Sequence, residues 1–143
     1  MSTQKSNLNV EPLKGKSYLT IPVSDLLQAA DEKNVLVRAT LRVGGQIVSS
    51  NGYYFRPYKE MTFGKPNIKT EIGESGDGFN IKLSSDRAAR AVELYGFTDG
   101  FFVDNYFDLL PDRPVEVHYR SENKLSLDEF RKSLKVRSLA DAF

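Results

Sequence analysis

The sequence has no cysteine, which excludes a disulfide framework and any thiolate metal site, and leaves the compartment unread from thiol usage. It has one histidine, His118. A metal centre or a nucleophile–base–orienter set wants more than one lone imidazole. Excess charge of one sign is also missing: 20 Lys and Arg face 19 Asp and Glu, a net charge of +1. No field of that size gathers nucleic acid or an anionic membrane, and neither is an expected partner. No apolar run approaches the roughly 18 residues that a membrane-spanning helix needs. Residues 1–16 are polar, without the apolar core of a signal peptide. No cofactor is expected.

What is present reads as a β protein. At 143 residues one domain with a real hydrophobic core is expected. Residues 1–16 read as a linker or frayed arm. Leu19, Ile21 and Val23 alternate with polar neighbours as a first strand, with Pro22 suggesting an edge position. Ser24 follows as the cap of a short helical turn over residues 25–30. Val35, Val37, Ala39, Leu41 and Val43 face one way in the clearest strand, and Gly44-Gly45 should turn it back as a hairpin. Further strands are expected at residues 67–72, 79–83 and 92–94, with a glycine-laden turn at 73–78. About eight strands at 8–12-residue spacing, without βα alternation, predict an all-β fold, an antiparallel immunoglobulin-like sandwich of two sheets over residues 17–121. Residues 122–143 then supply a short helix and an extended tail. Ser126 and Glu129 form a capping box, with Leu125 and Phe130 at the staple positions. The tail should pack on the sandwich or on a neighbouring domain.

The stretch from Phe101 to Pro111 organises the rest. Phe101, Val103, Asn105, Phe107 and Leu109 fall on one face of a two-residue period, Asp104, Tyr106 and Asp108 on the other. Asn105 on the dry face should be bonded to the backbone of a neighbouring loop, because an unpaired buried amide costs roughly 1–3 kcal/mol. This segment, Phe-Val-Asp-Asn-Tyr-Phe-Asp-Leu-Leu-Pro, resembles the C-terminal immunoglobulin-like domain of β-mannosidases of glycoside hydrolase family 2. Ile81-Lys82-Leu83-Ser84-Ser85 and Ala88 to Leu94 precede it as in that family. Leu125 to Phe130 and Ser138-Leu139-Ala140-Asp141 follow in order. Asp112-Arg113 departs from the usual Gly-Glu. The resemblance implies that the catalytic glutamates of a retaining exo-glycosidase acting on terminal non-reducing β-D-mannose lie on a separate (β/α)8 barrel. This chain would be a non-catalytic accessory domain whose partners are that barrel and the parent's other domains. It further implies that Met1 is not a natural start, and a periplasmic or secreted location if the parent is a bacterial glycosidase.

The residues themselves offer no catalytic set and no metal set. A retaining glycosidase needs two carboxylates about 5–5.5 Å apart, an inverting one about 6.5–9.5 Å. Asp104 and Asp108 on one strand would have Cα atoms roughly 13 Å apart, so they are expected to accept backbone N–H groups instead. With Asn105 and Phe107 they form the structural motif. His118 should be a solvated residue on an outward strand face. Asp77 reads as a turn residue rather than a calcium ligand. One constellation keeps a binding reading: Tyr53, Tyr54, Phe55 and Tyr58, beside Asn51, Arg56 and Lys59, could line a sugar platform or a domain interface, or serve as core. The alternatives to the accessory-domain reading are therefore a carbohydrate-binding module and a free-standing interaction domain.

Overall fold

The computed structural model describes residues 2–96 and 99–142, and the chain divides into two compact units between Thr62 and Phe63. In the first unit a short helix, α1 (Val23–Leu27), stands where the last residues of a first strand were expected. Pro22 decides this: its fixed φ and missing N–H suit a helix start, and its carbonyl accepts from the amides of Asp25 (3.1 Å) and Leu26 (3.3 Å). Gln28 ends the helix in the left-handed region, at φ 47°. Residues 17–22 form no strand.

Strands β1 (Leu36–Val43) and β2 (Gln46–Tyr54) follow as an antiparallel hairpin. Gly44 and Gly45 take φ of 56° and 83°, the conformation that a two-residue turn matched to strand twist demands. A bulge interrupts the register at Leu41/Arg42. The hairpin is a two-stranded sheet by itself, and the apolar alternation of β1 does not lie in a dry core: Leu41 and Val43 are exposed. No described residue from 2 to 62 is buried.

The second unit holds the core and has the two-sheet antiparallel architecture of an immunoglobulin-like sandwich. One sheet runs in the order β3 (Ile68–Ser75), β4 (Gly78–Ser85), β8 (Val115–Ser121), β6 (Gly100–Phe102). The other runs β7 (Phe107–Leu109), β5 (Ala89–Tyr95), β9 (Lys135–Arg137). Two-residue alternation sets the inner faces. Phe79, Ile81 and Leu83 of β4 with Val117 and Tyr119 of β8 meet Ala89, Val92 and Leu94 of β5 and Leu109 of β7. Helix α2 (Leu127–Ser133) begins at the capping box, where Ser126 and Glu129 bond reciprocally. Its Phe130, fully buried, stacks on Phe79 with ring centroids 4.2 Å apart and lies 5.1 Å from Tyr119. After the helix the chain returns as β9, paired with β5 from Glu93↔Arg137 to Tyr95↔Lys135. The sequence pattern had grouped residues 17–121 as one sandwich, with 122–143 apart. The chain instead groups helix and tail with β3–β8, and the β1–β2 hairpin with the N-terminal residues.

Residues 101–109 are not one strand. β6 pairs with β8 and β7 pairs with β5, so the chain crosses from one sheet to the other between them. The crossing changes the faces. Phe101 and Val103, expected inside, are exposed, and Phe102 instead packs against Tyr119, ring centroids 4.9 Å apart. A single alternating strand cannot show this, because a change of sheet resets which side is dry.

Candidate functional site

The crossing itself is built by the side chains of Asp104, Asn105 and Asp108. Tyr106 sits at φ 62°, a left-handed conformation that costs a non-glycine residue roughly 1–2 kcal/mol. It turns the backbone away from β5 just beyond the Val92↔Phe107 pair. In that register the next rung would join Leu94 to residue 105. Asn105 supplies the rung with its side chain: Oδ1 accepts the Leu94 amide at 2.8 Å and Nδ2 donates to the Leu94 carbonyl at 2.9 Å. Oδ1 also accepts the Tyr106 amide at 3.1 Å. The partner is a strand, not the loop that the sequence suggested. Asp104 Oδ1 accepts the Asn105 amide at 2.8 Å. Asp108 Oδ1 accepts the Ala91 amide at 2.9 Å, inside a β5 bulge where Ala91 takes φ 48°. Phe107 is half-buried against the core. Asn105→Ala leaves both polar groups of Leu94 without this rung. It should cost about 1–3 kcal/mol, read as a lowered urea midpoint. An unchanged midpoint would show that water replaces the amide without loss.

Two charged clusters flank these strands. Glu93 of β5 faces Arg137 of β9, forms an ion pair with its Nε, and accepts the Tyr106 hydroxyl at 2.8 Å. The Arg137 guanidinium lies 5.0 Å from the Tyr95 ring centroid. The second cluster is where His118 belongs, and it is not a solvated strand residue. Its side chain is only 22% exposed. Nδ1 lies 2.7 Å from Asn80 Oδ1 on the neighbouring strand, and Nε2 lies 2.7 Å from Asp77 Oδ1 in the β3–β4 turn. Arg120 Nε stands 3.4 Å from the other Asp77 oxygen. Asp77 thus ties its turn to β8, and its backbone carbonyl accepts the Ser121 amide at 3.0 Å. Pairings of residues this far apart in sequence have no local signal, so sequence reasoning missed both clusters.

In the first unit, Tyr53 pairs with Phe55 and Tyr54 with Tyr58, each pair edge to face. Tyr53 and Phe55 have centroids 5.2 Å apart at 89°, and Tyr54 and Tyr58 6.2 Å apart at 81°. Tyr53 is 62% exposed. Edge-to-face packing is favourable for the rings themselves, but it does not lay them out as one flat row.

Residues 63–142 match the family model of the mannosidase Ig-fold domain. The chain belongs to this mannosidase Ig-fold family. Residues 1–60 match a second model, described as a mannosidase Ig/CBM-like domain, so the two matches meet where the chain divides into its units. Among solved structures it is similar to the crystal structure of the β-D-mannosidase from Dictyoglomus thermophilum. The TM-score is 0.63 at 17% identity, over 73% of this chain and 13% of that one. At that identity the likeness shows the fold, and the chain spans a small part of the length of that enzyme. No curated protein matches the chain.

In the mannosidase Ig-fold unit the bonded carboxylates act as braces. Arg137 and then Tyr106 hold Glu93 below its ordinary pKa, and Glu93 in turn raises that of Tyr106. The His118 hydrogen bond lowers Asp77. Lys65, whose Nζ lies 2.8 Å from Asp141, and the Ser138 amide at 2.8 Å lower Asp141. Ser126 lowers Glu129. For a carboxylate whose folded pKa is depressed, the stabilisation is present above the unfolded value and lost as pH falls through the folded one. The melting temperature should therefore hold down to the ordinary carboxylate range near about 4 and fall progressively below it. Asp141→Asn should shallow that fall. A melting temperature that is flat from neutral pH to well below that range would show that these bonds contribute nothing.

Proposed function

We propose that the chain is the non-catalytic accessory part of a β-mannosidase. The parent enzyme hydrolyses terminal non-reducing β-D-mannose using acid/base and nucleophile glutamates on a separate barrel, and these residues buttress that barrel. The observation that carries this reading is the succession of two mannosidase Ig-type matches along one chain. The chemistry is consistent with it: the carboxylates of Glu93, Asp104, Asp108 and Asp141 are each engaged with backbone or cationic partners. Tested on the natural polypeptide that carries this sequence, an aryl β-mannoside should be turned over with retention of configuration. A parent active on other glycosides but inert toward β-mannosides would defeat the assignment.

A carbohydrate-binding role is the second reading. It is supported by the CBM-like description of the model that residues 1–60 match and by the exposure of Tyr53. The perpendicular ring pairs weigh against it, because stacking on a pyranose face wants rings laid out in one plane.

A further inference from the structure

Two tyrosines, a guanidinium and a carboxylate meet on the outer side of β5, opposite the inward Val92 and Leu94. All four side chains, and the contacts between them, belong to the second unit. Glu93 is the hub. Its side chain is only 15% exposed; one oxygen pairs with Arg137 Nε and the other accepts the Tyr106 hydroxyl. Arg137 lies in register opposite Glu93, and its guanidinium sits 5.0 Å from the Tyr95 ring centroid. Glu93 raises the Arg137 pKa most, and the phenols of Tyr95 and Tyr106 add to it, so both tyrosines stand beside one cation. The groups left unbonded face outward. Among the described residues, neither Nη group of Arg137 and no hydroxyl of Tyr95 makes a hydrogen bond. The Tyr106 ring is 64% exposed, and its backbone stands in the left-handed region at φ 62°. Glycine or asparagine takes that conformation at less cost than an aromatic residue. A ring so exposed adds little to the core, so burial does not offset the strain. Strain of this kind collects at binding and catalytic sites.

We propose that Tyr106, Arg137 and Tyr95 form a binding site for a neutral saccharide chain, with Glu93 as the residue that positions them. The open Tyr106 ring offers its face to the C–H side of a sugar ring. The free Nη groups of Arg137, a planar fork of fixed geometry, donate to neighbouring hydroxyl oxygens. The Tyr95 hydroxyl supplies one more donor or acceptor. The charges of Glu93 and Arg137 cancel, which favours a neutral hydroxylated ligand over a phosphate or a carboxylate. Small molecules are held in clefts, whereas this cluster lies on an open sheet face, which suits an extended chain touching several groups at once. Glu93 fixes both the ring and the guanidinium before any ligand arrives, so little ordering cost is left for binding. The site is separate from the aromatic residues of the first unit, and it does not depend on the accessory-domain reading.

The test is a titration of the 143-residue protein with linear β-mannotetraose, followed by amide NMR. Shifts should saturate and centre on Glu93, Tyr95, Tyr106 and Arg137. Tyr106→Gly removes the platform and relieves the left-handed strain. Affinity should then fall on the order of 10-fold, while the urea midpoint holds or rises. Arg137→Lys keeps a cation opposite Glu93 but loses the fork, and should weaken binding several-fold. Tyr53→Ala should leave affinity unchanged. A Tyr106 that serves only as a brace gives the opposite pattern: a lower midpoint for the glycine variant and no saturable shifts. Where the glycine variant loses stability, Arg137→Lys decides, and unchanged affinity there would overturn the proposal. The absence of saturable shifts at the highest soluble concentration would also overturn it, as would shifts centred on Tyr53 to Tyr58. Inorganic phosphate moving the same amides where the saccharide does not would reject the saccharide and assign an anion site.

Discussion

Phe130→Ala should destabilise the mannosidase Ig-fold unit by about 3–5 kcal/mol, the usual cost of removing a fully buried aromatic ring. The ring is entirely inaccessible and lies between Phe79 and Tyr119, nearly parallel to the first at 14°. It is the one fully buried side chain of α2, with Leu127 partly buried against the same core. Truncation removes both the ring contacts and the reason for the helix to lie there, because a seven-residue helix is not stable alone. For a domain of this size the loss corresponds to a fall in melting temperature of roughly 12–40 °C. Phe130→Leu separates packing from capping. It keeps most of the volume and should cost about 1–1.5 kcal/mol, with the Ser126–Glu129 box intact. A loss below about 1 kcal/mol for the alanine variant would mean that α2 does not close the sandwich.

Gly100→Ala carries the second large effect, for a different reason. Gly100 opens β6 at φ 152°, a region that L side chains rarely enter, and such strain costs roughly 1–3 kcal/mol. A Cβ there would also overlap the Arg120 carbonyl oxygen and the Tyr119 hydroxyl. The carbonyl belongs to β8 in the same sheet and cannot rotate aside, so the added carbon should push β6 off β8, at about 1–3 kcal/mol more. The sum is about 2–6 kcal/mol, measured by denaturant unfolding. Exchange at the Phe102 and Val103 amides should rise first, since the Val103 amide donates to the His118 carbonyl across the same edge. Wild-type stability with an unmoved β6 would show that the close approach at Gly100 is not real.

How far the sequence could be read depends on which interactions are local. The capping box of α2 spans four residues and is visible as Ser126 and Glu129. The hairpin turn at Gly44-Gly45 is equally local, and so is the alternation that buries Phe79, Ile81 and Leu83. The crossing at residues 103–106 was hidden because the same apolar period runs through both β6 and β7, while the change of sheet depends on one left-handed residue, Tyr106. The side-chain rung from Asn105 to Leu94 was half visible: an amide at an otherwise apolar position signals a buried partner, yet nothing local says which. Glu93 and Arg137 lie 44 positions apart and meet only because β9 pairs with β5. His118 was misread for the same reason, its partners Asp77 and Asn80 lying 41 and 38 positions away. The exposed face of β1 was misread because an alternating strand looks the same whether or not its covering sheet is present.

A scaffold role with no bond cleavage of its own is tested most directly by incubating the purified 143-residue protein, at high concentration, with an aryl β-mannoside. Release of the aryl group should match that in buffer alone, while the parent polypeptide turns the substrate over. Turnover by the 143-residue protein, lost on substituting any of Asp77, Glu93, Asp104 or Asp108, would place catalytic carboxylates within these residues and contradict the account.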